Sequence, residues 1–214
     1  MKYSHLIDEY KNPRTLSELK SQLAQAGYRS IGKGVDAIVF AKTSNPDVIK
    51  VLIGEKESST DDAAAGFLAF AKFCNQISNI HLPKFGDIIQ ITIGSELLYQ
   101  VSMERLYKLN ENEKDVAWFM AQAVFHNKSW ESVLETIQSH GAKADEEYQP
   151  QMLAEKAKYM KIAQKNKSVF AVIQKLHDHA ESLKGITMDL LTDEGNNIMK
   201  RKDGTWVITD PYVY

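Results

Sequence analysis

The chain has 214 residues, a formal net charge of −2, 43% hydrophobic and 25% charged residues, which is ordinary for a folded globular protein of one domain or two small lobes. The near-neutral charge gives no electrostatic case for nucleic acid as the main partner. A lone cysteine, Cys74, excludes an intrachain disulfide; no apolar run reaches the ~18 residues of a membrane span and the N-terminal stretch lacks a signal-peptide core, so a cytoplasmic location without membrane attachment is expected.

Leu16, Leu19, Leu23 and Ala26 fall on one helical stripe behind Thr15, and Gly27 ends it. The period then changes. Tyr28 to Ile31 and Val35 to Lys42 are expected strands joined by Gly32-Lys33-Gly34. Asn45-Pro46-Asp47 signals a turn, and Val48 to Ile53 is a third strand, apolar and β-branched around Lys50. Thr60-Asp61-Asp62 opens a helix with a capping hydroxyl and acids at the positive end of the dipole. Residues 63–73 are nearly all small or apolar, so this helix is expected to be buried, with Cys74 in its packing. Phe85 to Ile93 and Glu96 to Met103 form an expected strand pair turned at Gly94-Ser95. Helical periodicity covers about 112–127, 129–139, 151–165 and 168–183, with a loop at 139–150, before short strands return. A strand-rich first half and a helix-rich second half predict an α+β protein of two lobes.

The C-terminal stretch is the most informative. Asp189 follows a short apolar run, Asn197 follows Asp189, and the β-like stretch Thr205 to Thr209 ends on Asp210. An Asp…Asn…Asp series punctuated by strands is how one loop and one hairpin can hold a metal-nucleotide: the first acid orients an attacking hydroxyl, and the amide and second acid offer oxygens to Mg²⁺. Near the other end, Gly32-Lys33-Gly34-Val35-Asp36-Ala37 admits several readings. A Walker loop needs Gly-Lys-Ser/Thr opening a helix, which is absent. The G-x-G-x-x-A spacing matches a dinucleotide turn, but the segment runs into a strand. A glycine flap over phosphates and an ordinary tight turn both stay open. Lys50 interrupts a buried-looking strand, where a charge needs a partner, or else it faces solvent on an edge strand.

Taken in order, these residues resemble the protein-kinase-like superfamily, in particular the small kinase-like proteins of bacteriophages. Gly32, Gly34, Ala37 and Val39 resemble the glycine-rich loop, and Val48-Ile49-Lys50-Val51 the lysine strand. His81 to Phe85 is similar to the link after the C helix, Met103-Glu104-Arg105-Leu106 to the hinge, and Gly185 to Leu190 to the catalytic-loop lead-in. Asn197-Ile198-Met199 and Val207 to Pro211 are similar to the metal-binding segments.

The resemblance implies a bilobal protein-kinase-like fold, with a β-rich N-lobe (1–106) and a truncated helical C-lobe (107–214). It implies ATP and Mg²⁺ as cofactors. Gly32 and Gly34 would cover the phosphates, Lys50 would neutralise them, and the backbone of Met103 and Glu104 would meet adenine. Asn197 and Asp210 would hold Mg²⁺, and Asp189 would align the attacking hydroxyl. The implied activity is phosphate transfer to Ser or Thr of a host protein; the alternative is a pseudokinase-like module that binds and inhibits or scaffolds a host or phage protein.

The chain departs from the family pattern in four respects. The helix from Thr60 has no central glutamate, leaving Asp61, Asp62, Glu55 or Glu57 to pair with Lys50. Thr187-Met188 stands where His-Arg is usual. Asn197 lies eight residues after Asp189 rather than five, so Asp193 is an alternative acid. The chain also stops four residues after Asp210, without a peptide-docking segment. Elsewhere, His177 and His179 sit at i,i+2 on different helix faces, Lys156, Lys158, Lys161, Lys165 and Lys167 make a basic face expected to be solvated, and Trp118, Phe119 and Phe125 are expected in helix packing.

Overall fold

The computed structural model describes residues 13–34, 37–53, 60–93, 96–140, 149–190 and 197–213. Val35-Asp36, Glu55, Glu57, the Gly94-Ser95 turn, most of the expected 139–150 loop and Asp193 lie outside them. The chain is mixed α+β, as its periodicity predicts: a five-stranded antiparallel sheet and six helices lie among the described residues. It divides into two compact units.

The first unit comprises Met1–Asn79, Pro83–Arg105 and Val213–Tyr214. Helix α1 (Leu16–Gln25) is capped by Thr15, whose hydroxyl accepts from the Glu18 N–H at 3.1 Å. Gly27, at φ +87°, supplies the left-handed turn that leaves it. Strands β1 (Arg29–Lys33), β2 (Ala37–Ala41), β3 (Asp47–Leu52), β4 (Phe85–Ile93) and β5 (Glu96–Glu104) form one sheet in the order β1-β2-β3-β5-β4. Asn45 Oδ1 accepts from the Asp47 N–H at 3.0 Å, the local hydrogen bond that makes Asn-Pro-Asp a turn.

Period-two alternation sorts β3 between two cores. Ile49 and Val51 pack with Leu19, Leu23, Ile38, Phe40 and Leu98 on the α1 side. On the opposite side Leu52 and Val101 meet Ala64, Phe67 and Ala71 of helix α2 (Thr60–Gln76). Cys74 on this helix is buried, which pushes its thiol up to about 12 and makes it a packing residue.

Strand β1 extends beyond the limit expected from sequence. After a bulge between Ser30 and Gly32 the ladder continues through Gly32↔Val39 and Lys33↔Ile38, and the Gly34 N–H donates to the Ala37 carbonyl at 2.9 Å. Two of the three residues read as a connector therefore belong to the strand.

The second unit comprises Ile80–Leu82 and Leu106–Tyr212. Its helices are α3 (Glu111–Phe125), α4 (Trp130–Ser139), α5 (Gln149–Lys165) and α6 (Lys167–Glu181). Asn110 and Glu113 form a reciprocal capping box at the start of α3, and Ser129 caps α4. Val116 and Met120 of α3, Val133 and Ile137 of α4, and Ile173 and Leu176 of α6 are buried at the i,i+3 or i,i+4 spacing of an inward-facing stripe. Two-residue strands not foreseen from sequence, β6 (Tyr107–Lys108) and β7 (Thr187–Met188), complete the unit's ladders: β6 joins β8 (Ile198–Lys200) and β9 (Trp206–Ile208) in the order β6-β8-β9, and β7 pairs with β10 (Tyr212–Val213).

Candidate functional site

The β8–β9 hairpin is built from its turn outward. Asp203 Oδ1 accepts from the Thr205 N–H at 2.9 Å, the contact that holds its carboxyl below the usual range. Gly204 takes φ +87°, and the Arg201 N–H donates to the Thr205 carbonyl at 2.9 Å. Ile198↔Ile208, Met199↔Val207 and Lys200↔Trp206 set the register, and Trp206, Val207 and Ile208 are buried. The ladder continues one step further, with the Thr209 N–H donating to the Asn197 carbonyl at 2.9 Å. Asn197 and Asp210 therefore emerge at the same end of one anchored hairpin.

Asp189 joins them there. Its N–H donates to the Pro211 carbonyl at 2.7 Å, extending the β7–β10 pairing, and its carbonyl accepts from Asn197 Nδ2 at 2.7 Å. All three side chains are partly exposed. The donor end of the Asn197 amide is committed to a carbonyl, and the acceptor end is the atom a hard cation takes. Among the described residues no group of three or more His, Cys, Asp and Glu could hold a metal ion. A kinase-like magnesium set needs only one carboxylate and one amide, with phosphate oxygens supplying further ligands, and Asp210 and Asn197 fit that donor chemistry.

Three further residues brace this hairpin, and none was singled out for it from sequence. His81 is buried; its Nδ1–H donates to the Trp206 carbonyl at 2.8 Å, and Ser168 Oγ lies 2.7 Å from Nε2, within hydrogen-bonding distance. The His81 carbonyl accepts from the Ile208 N–H at 3.0 Å. Arg201 donates to the carbonyls of Ile80 and Leu82. Glu113 accepts from Lys200 Nζ at 2.5 Å. Burial pushes the Glu113 carboxyl up, but hydrogen bonds from Lys200 and the Asn110 N–H outweigh it and hold it below its ordinary value. Only the capping-box spacing of Asn110 and Glu113 was visible as a local signal; the rest link residues far apart in sequence.

In the first unit, Lys50 lies on β3, the central strand of the five, paired with Val39 and Val101, and is 8% exposed. It is therefore not a solvent-facing lysine on an edge strand. Its Nζ stands 4.1 Å from the centroid of the Phe67 ring. Gly32 and Gly34 are exposed, and neither has a positive φ. A Cβ at Gly32 would meet nothing within 4 Å, and one at Gly34 only the Ala37 carbonyl at 4.0 Å. The segment leads into β2 rather than a helix, which removes the dinucleotide-turn reading. Met103 is buried in the β5 ladder between Val48 and Phe85. The Glu104 N–H donates to the Lys84 carbonyl at 3.1 Å, and its carboxylate accepts from the Lys84 N–H at 2.8 Å.

The remaining candidates have packing or surface roles. His177 lies 3.9 Å from Glu181, and His179 stacks on Tyr212, so the two histidines face different partners. Lys158, Lys161, Lys165 and Lys167 are exposed. Phe119 is buried against Tyr159, whereas Trp118, also expected in helix packing, is 50% exposed and meets the Phe119 ring in a T-shaped contact. A comparison with protein-family models matched none, and a search of curated proteins likewise found no match.

Proposed function

We propose that this chain is an ATP-dependent phosphotransferase of the protein-kinase-like type, with a β-rich N-lobe over 1–106 and a helical C-lobe over 107–214, acting on Ser or Thr of a host protein. One observation carries the reading. Asp189 and Asn197, chosen from sequence for their chemistry, are hydrogen-bonded to each other at 2.7 Å and, at 2.7 and 2.9 Å, to Pro211 and Thr209, the two residues that flank Asp210. Nothing in a purely structural hairpin requires an amide, two carboxylates and their one-ended clustering together.

Two features of the first unit support it. Lys50 is a buried cation on an inner strand of the sheet, the charge type that a nucleotide phosphate needs. Gly32 and Gly34 are glycines that neither φ nor crowding demands, so close approach of a ligand to the backbone gives them a reason that a tight turn does not.

In this reading Lys50 binds the α- and β-phosphates and Asp189 aligns the attacking hydroxyl and accepts its proton. Asn197 holds the Asp189 segment through its N–H while offering its oxygen, with the Asp210 carboxylate, to Mg²⁺. The bound cation would offset charge on the transferring phosphoryl group. The test is incubation with γ-labelled ATP and bacterial lysate proteins, followed by mass spectrometry. Label on Ser or Thr with the wild type and none with Asp210→Ala is expected; equal labelling, or none in either, contradicts the proposal.

A second reading, a pseudokinase-like module that binds a host or phage protein, draws on one observation: the α2 sequence has no carboxylate after Asp62. A thermal shift separates the two. Mg-ATP at 100 times Kd stabilises by roughly 2.7 kcal/mol, whereas a flat response to millimolar nucleotide favours the binding module.

A further inference from the structure

We infer that Phe67 is a positioning residue for Lys50, acting through its ring face; its consequence for nucleotide rests on the phosphotransferase reading. The Lys50 Nζ is 4.1 Å from the Phe67 centroid, well inside the range of a cation–π contact. Register and periodicity bring the pair together. Lys50 lies on the α2 face of β3, and Ala64, Phe67 and Ala71 form the i,i+3,i+4 stripe that α2 turns to the sheet. Small residues on either side let the ring reach the lysine.

The ring is itself held. Phe85 of β4 meets Phe67 edge-on at 5.5 Å between centroids and 82° between planes, and meets Phe70 at 5.9 Å and 90°. Phe67 and Phe70 are 2% and 0% exposed. An interlocked buried cluster fixes the ring orientation, so the ammonium meets the ring's negative face.

The contact is part of the α2–sheet core, so the ring meets the lysine whenever the unit is folded.

The test is NMR of the full chain with labelled lysine, together with Mg-ATP titration, in wild type, Phe67→Leu, Phe67→Met and Phe67→Tyr. The Lys50 ε-methylene protons, assigned by their loss in Lys50→Arg, are expected upfield in ligand-free wild type, unshifted in the Leu and Met variants and upfield again with Tyr. Mg-ATP affinity is expected to fall about fivefold to thirtyfold without a ring, the span from an exposed to a desolvated cation–π contact, and to return with Tyr. Two ring-free variants guard against one that fails to fold. Lys50 protons without an upfield shift in wild type, or shifts unchanged in both ring-free variants, overturn the assignment. A ring-dependent shift without nucleotide binding upholds the contact and overturns the phosphotransferase reading instead.

Discussion

The Asn197 side-chain amide donates to the Asp189 backbone carbonyl at 2.7 Å, tying the segment before β8 to the one after β7. The bond separates two roles that one residue can hold. Asn197→Asp keeps an oxygen for a cation but loses the donor; Asn197→Ala loses both. Chemical denaturation is expected to show each variant about 1 kcal/mol less stable, the usual net worth of one hydrogen bond. Magnesium-dependent nucleotide binding is expected to survive in part with Asp and to be lost with Ala.

His81 is expected to matter as much to folding as any apolar residue of the second unit. Replacing it with Phe leaves the Trp206 carbonyl without its ring-nitrogen partner in a buried setting, and removes the partner of the exposed Ser168 hydroxyl. The expected loss is about 2 kcal/mol, the cost of stranding a buried polar group. A urea melt of His81→Phe indistinguishable from wild type would contradict this.

Much of the fold was legible because its signals are local. The Thr15 cap, the Leu19–Leu23 stripe and Gly27 lie within one helix and its exit, and the β-branched, apolar run around Lys50 announces a strand without reference to any other segment. The Asp189–Asn197–Asp210 series stood out in the sequence for its residue types. Its bracing did not, because His81 pairs with Trp206 across 125 residues and Lys200 with Glu113 across 87, and no period reports such pairs. β6 and β7 escaped for the same reason: at two residues each, they are strands only by virtue of their partners. Trp118 misled because helical spacing identifies a face but not how far a large ring is covered.

The Glu113–Lys200 pair gives an acid-side prediction. The Glu113 carboxyl is held below its ordinary 4.5 in the folded chain, so its contribution is complete above 4.5 and is lost as pH falls through the lower folded value. The stability gap between wild type and Glu113→Gln, measured by denaturant melts, is expected to be constant from neutral pH down to about that point and then to close. A gap that stays constant into strong acid would contradict the pairing.

His179 acts in a neighbouring window. Tyr212 Oη donates to the Leu176 carbonyl at 3.0 Å, so at 2.8 Å the His179 Nδ1–H is the donor to Tyr212. Burial holds the His179 pKa below 6.5, so the folded chain favours the neutral ring. Its contribution is full above 6.5 and declines as pH falls from there toward the lower folded value. Melting temperature is expected to drop across that interval in wild type and to drop less in His179→Gln.

The central claim is that the residues joined around Asn197 serve a magnesium-nucleotide. Calorimetric titration of Mg-ATP into the wild type and into Asp210→Ala, each with and without excess chelator, tests it most directly. Saturable single-site binding by the wild type is expected, with a loss of at least about tenfold on chelation or in Asp210→Ala, the scale on which losing a metal ligand is felt. Heats of dilution alone in the wild type at millimolar Mg-ATP, or equal affinity in Asp210→Ala, would contradict it.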